Sequence, residues 1–108
     1  MTPPKNRMRP IHPGEILRED FLLPGGMSSN ALAQALHVPA NRITMLVGEK
    51  RAMTADTALR LSRYFGTTPE FWLDLQKAYE LRLAEQSADL RAELKSIRPA
   101  KNARTHAA

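Results

Sequence analysis

The stretch SNALAQALHVPANRITML, Ser29–Leu46, decides how the chain is read. A short helical pattern with a small residue at its centre, Ala33, is followed by a three-residue break, His37-Val38-Pro39, and then by a second short helical pattern. Leu32, Leu36, Val38, Ile43 and Leu46 all turn inward if the two helices cross steeply. That is the sequence form of a helix-turn-helix, a device that offers its second helix to the DNA major groove. An ordinary helical corner inside an all-α core has the same pattern, so the rest of the chain must arbitrate.

The 108 residues suffice for one domain with a single core, and 43% hydrophobic with 25% charged residues is ordinary for a soluble globular protein. No apolar run approaches the roughly 18 residues that a membrane span needs, and no secretory signal opens the chain. The absence of cysteine agrees with a reducing, cytoplasmic setting. The net charge of +5 is unevenly spread. Lys5, Arg7 and Arg9 make the N-terminal arm basic, and Arg98, Lys101 and Arg104 do the same for the C-terminal tail. Between residues 28 and 63, Arg42, Lys50, Arg51, Arg60 and Arg63 outnumber Glu49 and Asp56, which gives the suspected helix-turn-helix the basic stripe a polyanion-binding face requires. The tails are expected to be solvated and to keep the protein soluble.

Punctuation along the chain predicts helices only. Residues 1–10, rich in proline and basic, form a flexible arm; residues 11–86 form the helix-turn-helix domain; residues 87–108 hold a further helix and a basic tail. The first helix begins at His12-Pro13-Gly14-Glu15 and ends at Pro24-Gly25-Gly26. Ser28 caps the second helix, with Met27 and Leu32 placed as a hydrophobic staple. The third runs from Pro39 to Gly48, where a left-handed turn is expected. Thr54 caps the fourth, which Gly66 stops, and Thr68-Pro69-Glu70 opens a fifth that reaches about Gln86. A sixth pattern, weaker, spans Asp89 to Ile97.

If the third helix enters the groove, Ile43, Leu46 and Val47 hold it from inside and Ala40, Asn41, Thr44 and Met45 face outward. Asn41 suits bidentate pairing with adenine, Thr44 a hydrogen bond or a thymine methyl, Ala40 and Met45 apolar contact, and Arg42 a guanine or a phosphate from the flank. Phosphate contacts are expected from Ser29 and Asn30 at the second helix's start and from Lys50, Arg51 and Thr54 beyond the third. Ser29 and Thr54 can also serve simply as helix-start residues, and a solvated face is the bland account of Asn41 and Arg42. Each good base contact contributes about 1–3 kcal/mol, against the roughly 4–10 kcal/mol that separates a specific site from random DNA. One such helix is therefore insufficient, and a homodimer on two half-sites is expected. Phe71, Trp72, Leu75 and Tyr79 crowd the fifth helix with more apolar surface than one stripe needs, which nominates it as the dimer interface; completion of the monomer core is the alternative. Catalysis has little support. His12 and His37 are explained by a helix start and a turn, Glu15, Glu19 and Asp20 lie on an outer face, and neither metal-ligand spacing nor a phosphate loop is present, so no catalytic group, metal or cofactor is expected.

Beyond the motif, HPGEILREDFL (His12–Leu22) and TADTALRLSRYFGTTPEFWLDLQKAYEL (Thr54–Leu81), flanking the helix-turn-helix, resemble the HigA/VapI antitoxins, a branch of the lambda-repressor-like, XRE-type DNA-binding proteins. The resemblance covers roughly Arg9 to Glu85. It implies a five-helix lambda-repressor-like domain and a homodimer that represses its own operon at a palindromic operator and neutralises a RelE-like (HigB-type) mRNA endonuclease toxin. It also implies DNA contact at Ser29, Asn41, Arg42, Thr44, Met45, Lys50 and Arg51. A stand-alone repressor without a toxin would carry the same DNA-binding features, and a pure interaction module that has lost DNA binding would keep the fold. Three departures stand out: His37 where many relatives have Gly, Pro39 where Ser often caps the reading helix, and Glu49 close to the expected DNA backbone.

Overall fold

In the computed structural model, which describes residues 9–101, every regular element is helical. Helix α1 is continuous but not uniform: an α-helical turn Pro13–Ile16, a π-helical stretch Leu17–Leu22, and a closing α-helical turn Leu23–Gly25. His12 caps it, its Nδ1 accepting the Gly14 N–H at 2.8 Å. The chain does not stop at Pro24 but carries it inside the last turn, ending at Gly26, whose φ is +61°. A proline ring normally collides with the carbonyl four residues back. The wide π turn just before Pro24, in which the Leu23 N–H reaches back to the Arg18 carbonyl, relieves that collision.

Helices α2 (Ser29–Leu36) and α3 (Ala40–Val47) form the helix-turn-helix. Ser28 Oγ accepts the Ala31 N–H at 3.0 Å and starts α2 as the sequence predicts. His37 adopts the left-handed conformation (φ 62°) usually left to Gly, while the Val38 N–H returns to the Ala33 carbonyl. Pro39 precedes α3 without a side-chain cap. The end of α3 differs from expectation. Gly48 keeps a negative φ, and it is Glu49 that turns left-handed (φ 63°), with the Lys50 N–H closing onto the Met45 carbonyl. Helix α4 (Ala55–Phe65) is capped by Thr54 and stopped by Gly66 (φ 76°); α5 (Pro69–Glu85) is capped by Thr68; α6 (Ala88–Ser96) is capped by Ser87 and buries none of its residues.

The core gathers one face of each of the first five helices: Leu17, Leu22, Leu32, Ala33, Leu36, Ile43, Leu46, Ala58, Leu61 and Trp72, with Met53 from the α3–α4 connection. Full burial of each aliphatic side chain contributes about 1.5–3 kcal/mol, which is what fixes the crossing of α2 and α3. Trp72 corrects an expectation. Its indole is wholly buried, donates from Nε1 to Thr67 Oγ1 at 2.7 Å and packs beside Phe21, so it completes the core and has no surface to give to a second copy. On the same helix Phe71 stays exposed, Leu75 is half-buried, and half-buried Tyr79 meets His12 edge-on at 4.8 Å.

Candidate nucleic-acid interface

Burying Ile43 and Leu46 turns the opposite side of α3 outward. Ala40, Asn41, Thr44 and Met45 are all exposed and share that face, whereas Arg42 is partly covered. Ser29 and Asn30 at the start of α2 form one flank, half-buried and exposed respectively; Lys50, Arg51 and Thr54, all exposed, lie beyond the other end of α3. Of the sequence-nominated residues, Arg42, Arg51 and Thr54 are brought together around one cleft, and the others are carried on α3, at the start of α2 and on the α3–α4 connection. Arg42, Arg51, Thr54, Asp56 and Thr57 line an open cleft of about 340 Å³ where α3 meets the start of α4. Arg42 is not loose in it. Its Nη1 donates to Asp56 Oδ1 at 2.5 Å, and Arg60 Nε donates to the same oxygen at 2.7 Å. These two guanidinium bonds, Arg60's first, hold the Asp56 carboxyl below its ordinary range.

The position of α3 is set by groups outside it. Gly14 of α1 lies so close to the end of α3 that a Cβ added there would sit 1.8 Å from the Leu46 carbonyl oxygen. Arg18 Nη1 donates to the Val47 carbonyl at 2.6 Å, a cation on the negative end of the helix. Its Nη2 also approaches Glu49, at 3.8 Å, so the acid nearest the expected DNA backbone has a counter-charge. The connection carrying Lys50 and Arg51 is fastened at Met53, whose N–H donates to Gln76 Oε1 at 2.7 Å, and at Arg51, whose backbone is hydrogen-bonded to His12. Burial keeps His12 below its ordinary pKa and therefore neutral, against the opposing pull of Glu49 and of that bond. The turn between α2 and α3 is held by Arg60, whose Nη1 donates to the Leu36 carbonyl at 2.8 Å and, at 3.4 Å, to that of His37. Here is the compensation for the missing turn glycine: a distant arginine satisfies the carbonyls at the helix end.

No protein-family model matches the chain. Virulence-associated protein I of Dichelobacter nodosus is 60% identical over 82 residues, 76% of either chain. An addiction module antidote protein of the HigA family from Coxiella burnetii superposes with a TM-score of 0.77 at 50% identity, over 85% of this chain and 99% of that one. The Pseudomonas aeruginosa antitoxin HigA, solved with the higBA promoter, gives 0.79 at 46% identity, over 84% and 98%. The chain belongs to the HigA/VapI family of helix-turn-helix antitoxins. Within this HigA-type fold, the residues that sequence reasoning missed are those that position rather than face outward: Gly14, Arg18, Asp56, Arg60 and Gln76. Asp56 and Arg60 left a signal, an acid and a base four apart on one helix. The other three act across 23 or more residues and left none. Among the described residues, no helix is long and apolar enough to cross a membrane and no group of side chains could hold a metal.

Proposed function

We propose that this protein is the DNA-binding antitoxin of a type II toxin–antitoxin module, which represses its own operon and neutralises a RelE-like toxin, and that it has no catalytic activity of its own. The observation that carries the DNA-binding half is the uncharged, exposed outer face of α3 (Ala40, Asn41, Thr44, Met45), and exposed polar and basic groups at the start of α2 and beyond the end of α3 support it as candidate phosphate contacts. Asn41 and Thr44 have the donors and acceptors to read base edges, with Ala40 and Met45 supplying apolar contact. Ser29 and Asn30 bring the free amides of the α2 N-terminus to one DNA strand, while Lys50, Arg51 and Thr54 clamp the other. Arg42 is drawn aside by Asp56 and is not counted among the base readers. The toxin-neutralising half is supported by the family, whose P. aeruginosa member was solved as an antitoxin on a promoter.

Two copies are required to supply enough discrimination, and α5 offers Phe71, Leu75 and Tyr79 for their contact. Fluorescence anisotropy on duplex from upstream of the gene, compared with scrambled duplex, tests the assignment. Asn41→Ala should close the gap between the two DNAs by about 1–3 kcal/mol, and Lys50→Ala should weaken both alike and flatten the salt dependence by about 0.9 in log–log slope. Equal affinity of the unaltered protein for both duplexes at physiological salt overturns the proposal. Affinity purification from the native host is expected to bring down a small toxin; recovery of the homodimer alone leaves a repressor without one.

A further inference from the structure

The reading helix Ala40–Val47 carries a single charge, Arg42. An arginine on a helix placed in a DNA groove is attracted to every phosphate and to any guanine in reach, so it adds affinity without adding choice unless its guanidinium is held in one place. Here it is held, and not by chance of rotamer. Asp56 Oδ1 accepts from Arg42 Nη1 at 2.5 Å and from Arg60 Nε at 2.7 Å. Arg60 is anchored in turn, its Nη1 on the carbonyl oxygen of Leu36 at 2.8 Å. The chain of contacts runs from the end of α2 through Arg60 and Asp56 to the flank of α3. Arg42 is half-buried, whereas Ala40, Asn41, Thr44 and Met45 are exposed. Asp56 also sits in the first turn of α4, where a carboxylate suits the helix dipole, in the cleft it shares with Arg42, Arg51 and Thr54.

We infer that Asp56 is a specificity-determining residue which, by tying the Arg42 guanidinium to the start of α4, withholds the reading helix's only cation from DNA and leaves sequence choice to Asn41 and Thr44. This rests on the DNA-binding proposal above. Without Asp56 the freed guanidinium pairs with whatever phosphate it meets. A non-specific complex slides until such a phosphate is in reach, whereas the operator complex is held in the register that Asn41 and Thr44 choose. Random DNA therefore gains more than the operator does.

The test is Asp56→Asn, which keeps the size of the side chain but removes the charge and replaces one acceptor oxygen by an NH2 donor, weakening the hold on both guanidiniums, measured on operator and scrambled duplex across a salt series. The salt slope on scrambled duplex should steepen by about 0.9, one extra phosphate neutralised, which is about an eightfold gain at 0.1 M salt. The operator-to-scrambled ratio should fall. The double variant Asp56→Asn with Arg42→Gln should restore both the slope and the ratio to those of Arg42→Gln alone, since Asp56 acts only through Arg42. An Asp56→Asn protein with unchanged slope and ratio overturns the inference. So does a gain that persists in the double variant, because simple loss of a repelling charge then explains it. If the unaltered protein itself prefers neither duplex, the DNA-binding proposal has failed; if it prefers the operator and Asp56→Asn behaves identically, only the present inference has.

Discussion

Replacing Gly14 with alanine should damage this protein far more than the loss of one small residue suggests. The added Cβ would be 1.8 Å from the Leu46 carbonyl oxygen and 2.8 Å from its carbon. Carbon and oxygen do not approach below about 3 Å without covalent bonding, so α1 and the end of α3 must separate by more than an ångström. The obstruction is backbone, which cannot rotate away as a side chain can. Overpacking of a core ordinarily costs about 1–3 kcal/mol, and a backbone collision at a buried helix crossing belongs at or above the top of that range. For a domain this small, about 3 kcal/mol lowers the melting temperature by more than about 10 °C. Gly25, in the last turn of the same helix, is the control: nothing lies within 4 Å of a Cβ built there, and Gly25→Ala should melt within a few degrees of the unaltered protein. Calorimetry or circular dichroism on the two variants decides. A Gly14→Ala protein that melts with its control would refute the claim that the α1–α3 contact is closed to any side chain. At temperatures where Gly14→Ala is still folded, operator affinity should fall as well, because the same displacement loosens the grip of Arg18 on the Val47 carbonyl.

Two further outcomes follow from the groups that hold the Lys50–Arg51 connection. Gln76→Leu leaves the buried Met53 N–H without its acceptor, an omission costing about 1–3 kcal/mol, so urea unfolding should shift by that amount while binding to operator and random DNA weakens alike. His12 is held neutral by burial, so its folded pKa lies below the 6.5 of the unfolded chain and the unfolded state binds the extra proton first. Stability is then complete above pH 6.5 and is lost as the pH falls below it, with a slope of at most about 1.4 kcal/mol per pH unit. The mechanism is visible: a protonated Nδ1 can no longer accept the Gly14 N–H. Urea midpoints at pH 7 and pH 5.5 should differ for the native sequence and not for His12→Asn, which keeps a capping oxygen but does not titrate; equal pH sensitivity of the two would exclude His12 as the source. The window lies above that of Glu15, whose carboxyl is held low chiefly by its hydrogen bond from Arg9 and is lost only at more acid pH.

What the sequence made legible was local. Ser28, Thr54 and Thr68 cap the helices they were expected to cap, since a cap and its amide are three residues apart. The crossing of α2 and α3 was legible for the same reason: Leu32, Leu36, Val38, Ile43 and Leu46, within one short window, must share an interior. Where two local solutions competed, the pattern could not choose. Gly48 and Glu49 both lie where α3 must end, and the left-handed turn fell to Glu49, because the Lys50 N–H can close onto the Met45 carbonyl only from there. The excess of apolar residues on α5 was legible too, but periodicity does not name the neighbour that covers each one. Phe21, on α1 and far from α5 in sequence, packs beside Trp72 and helps to claim it for the core.

The illegible part has a common physical character. Gly14, Arg18, Gln76 and Arg60 each meet a backbone group on another element, and a backbone carbonyl or amide leaves no residue-type signature at the position it occupies. Every one of these contacts fixes α3 or a connection next to it, and none of the four belongs to the expected reading face. A helix of eight residues is too short to hold its own geometry in water, so its aim over a DNA groove has to be imposed from outside. It follows that selection of a base sequence and the rigidity that makes selection effective reside in different residues. Changes at Asn41 or Thr44 should alter which sequence is preferred, whereas changes at Gly14, Arg18 or Arg60, which meet α3 or the turn leading into it, should blur the preference without redirecting it.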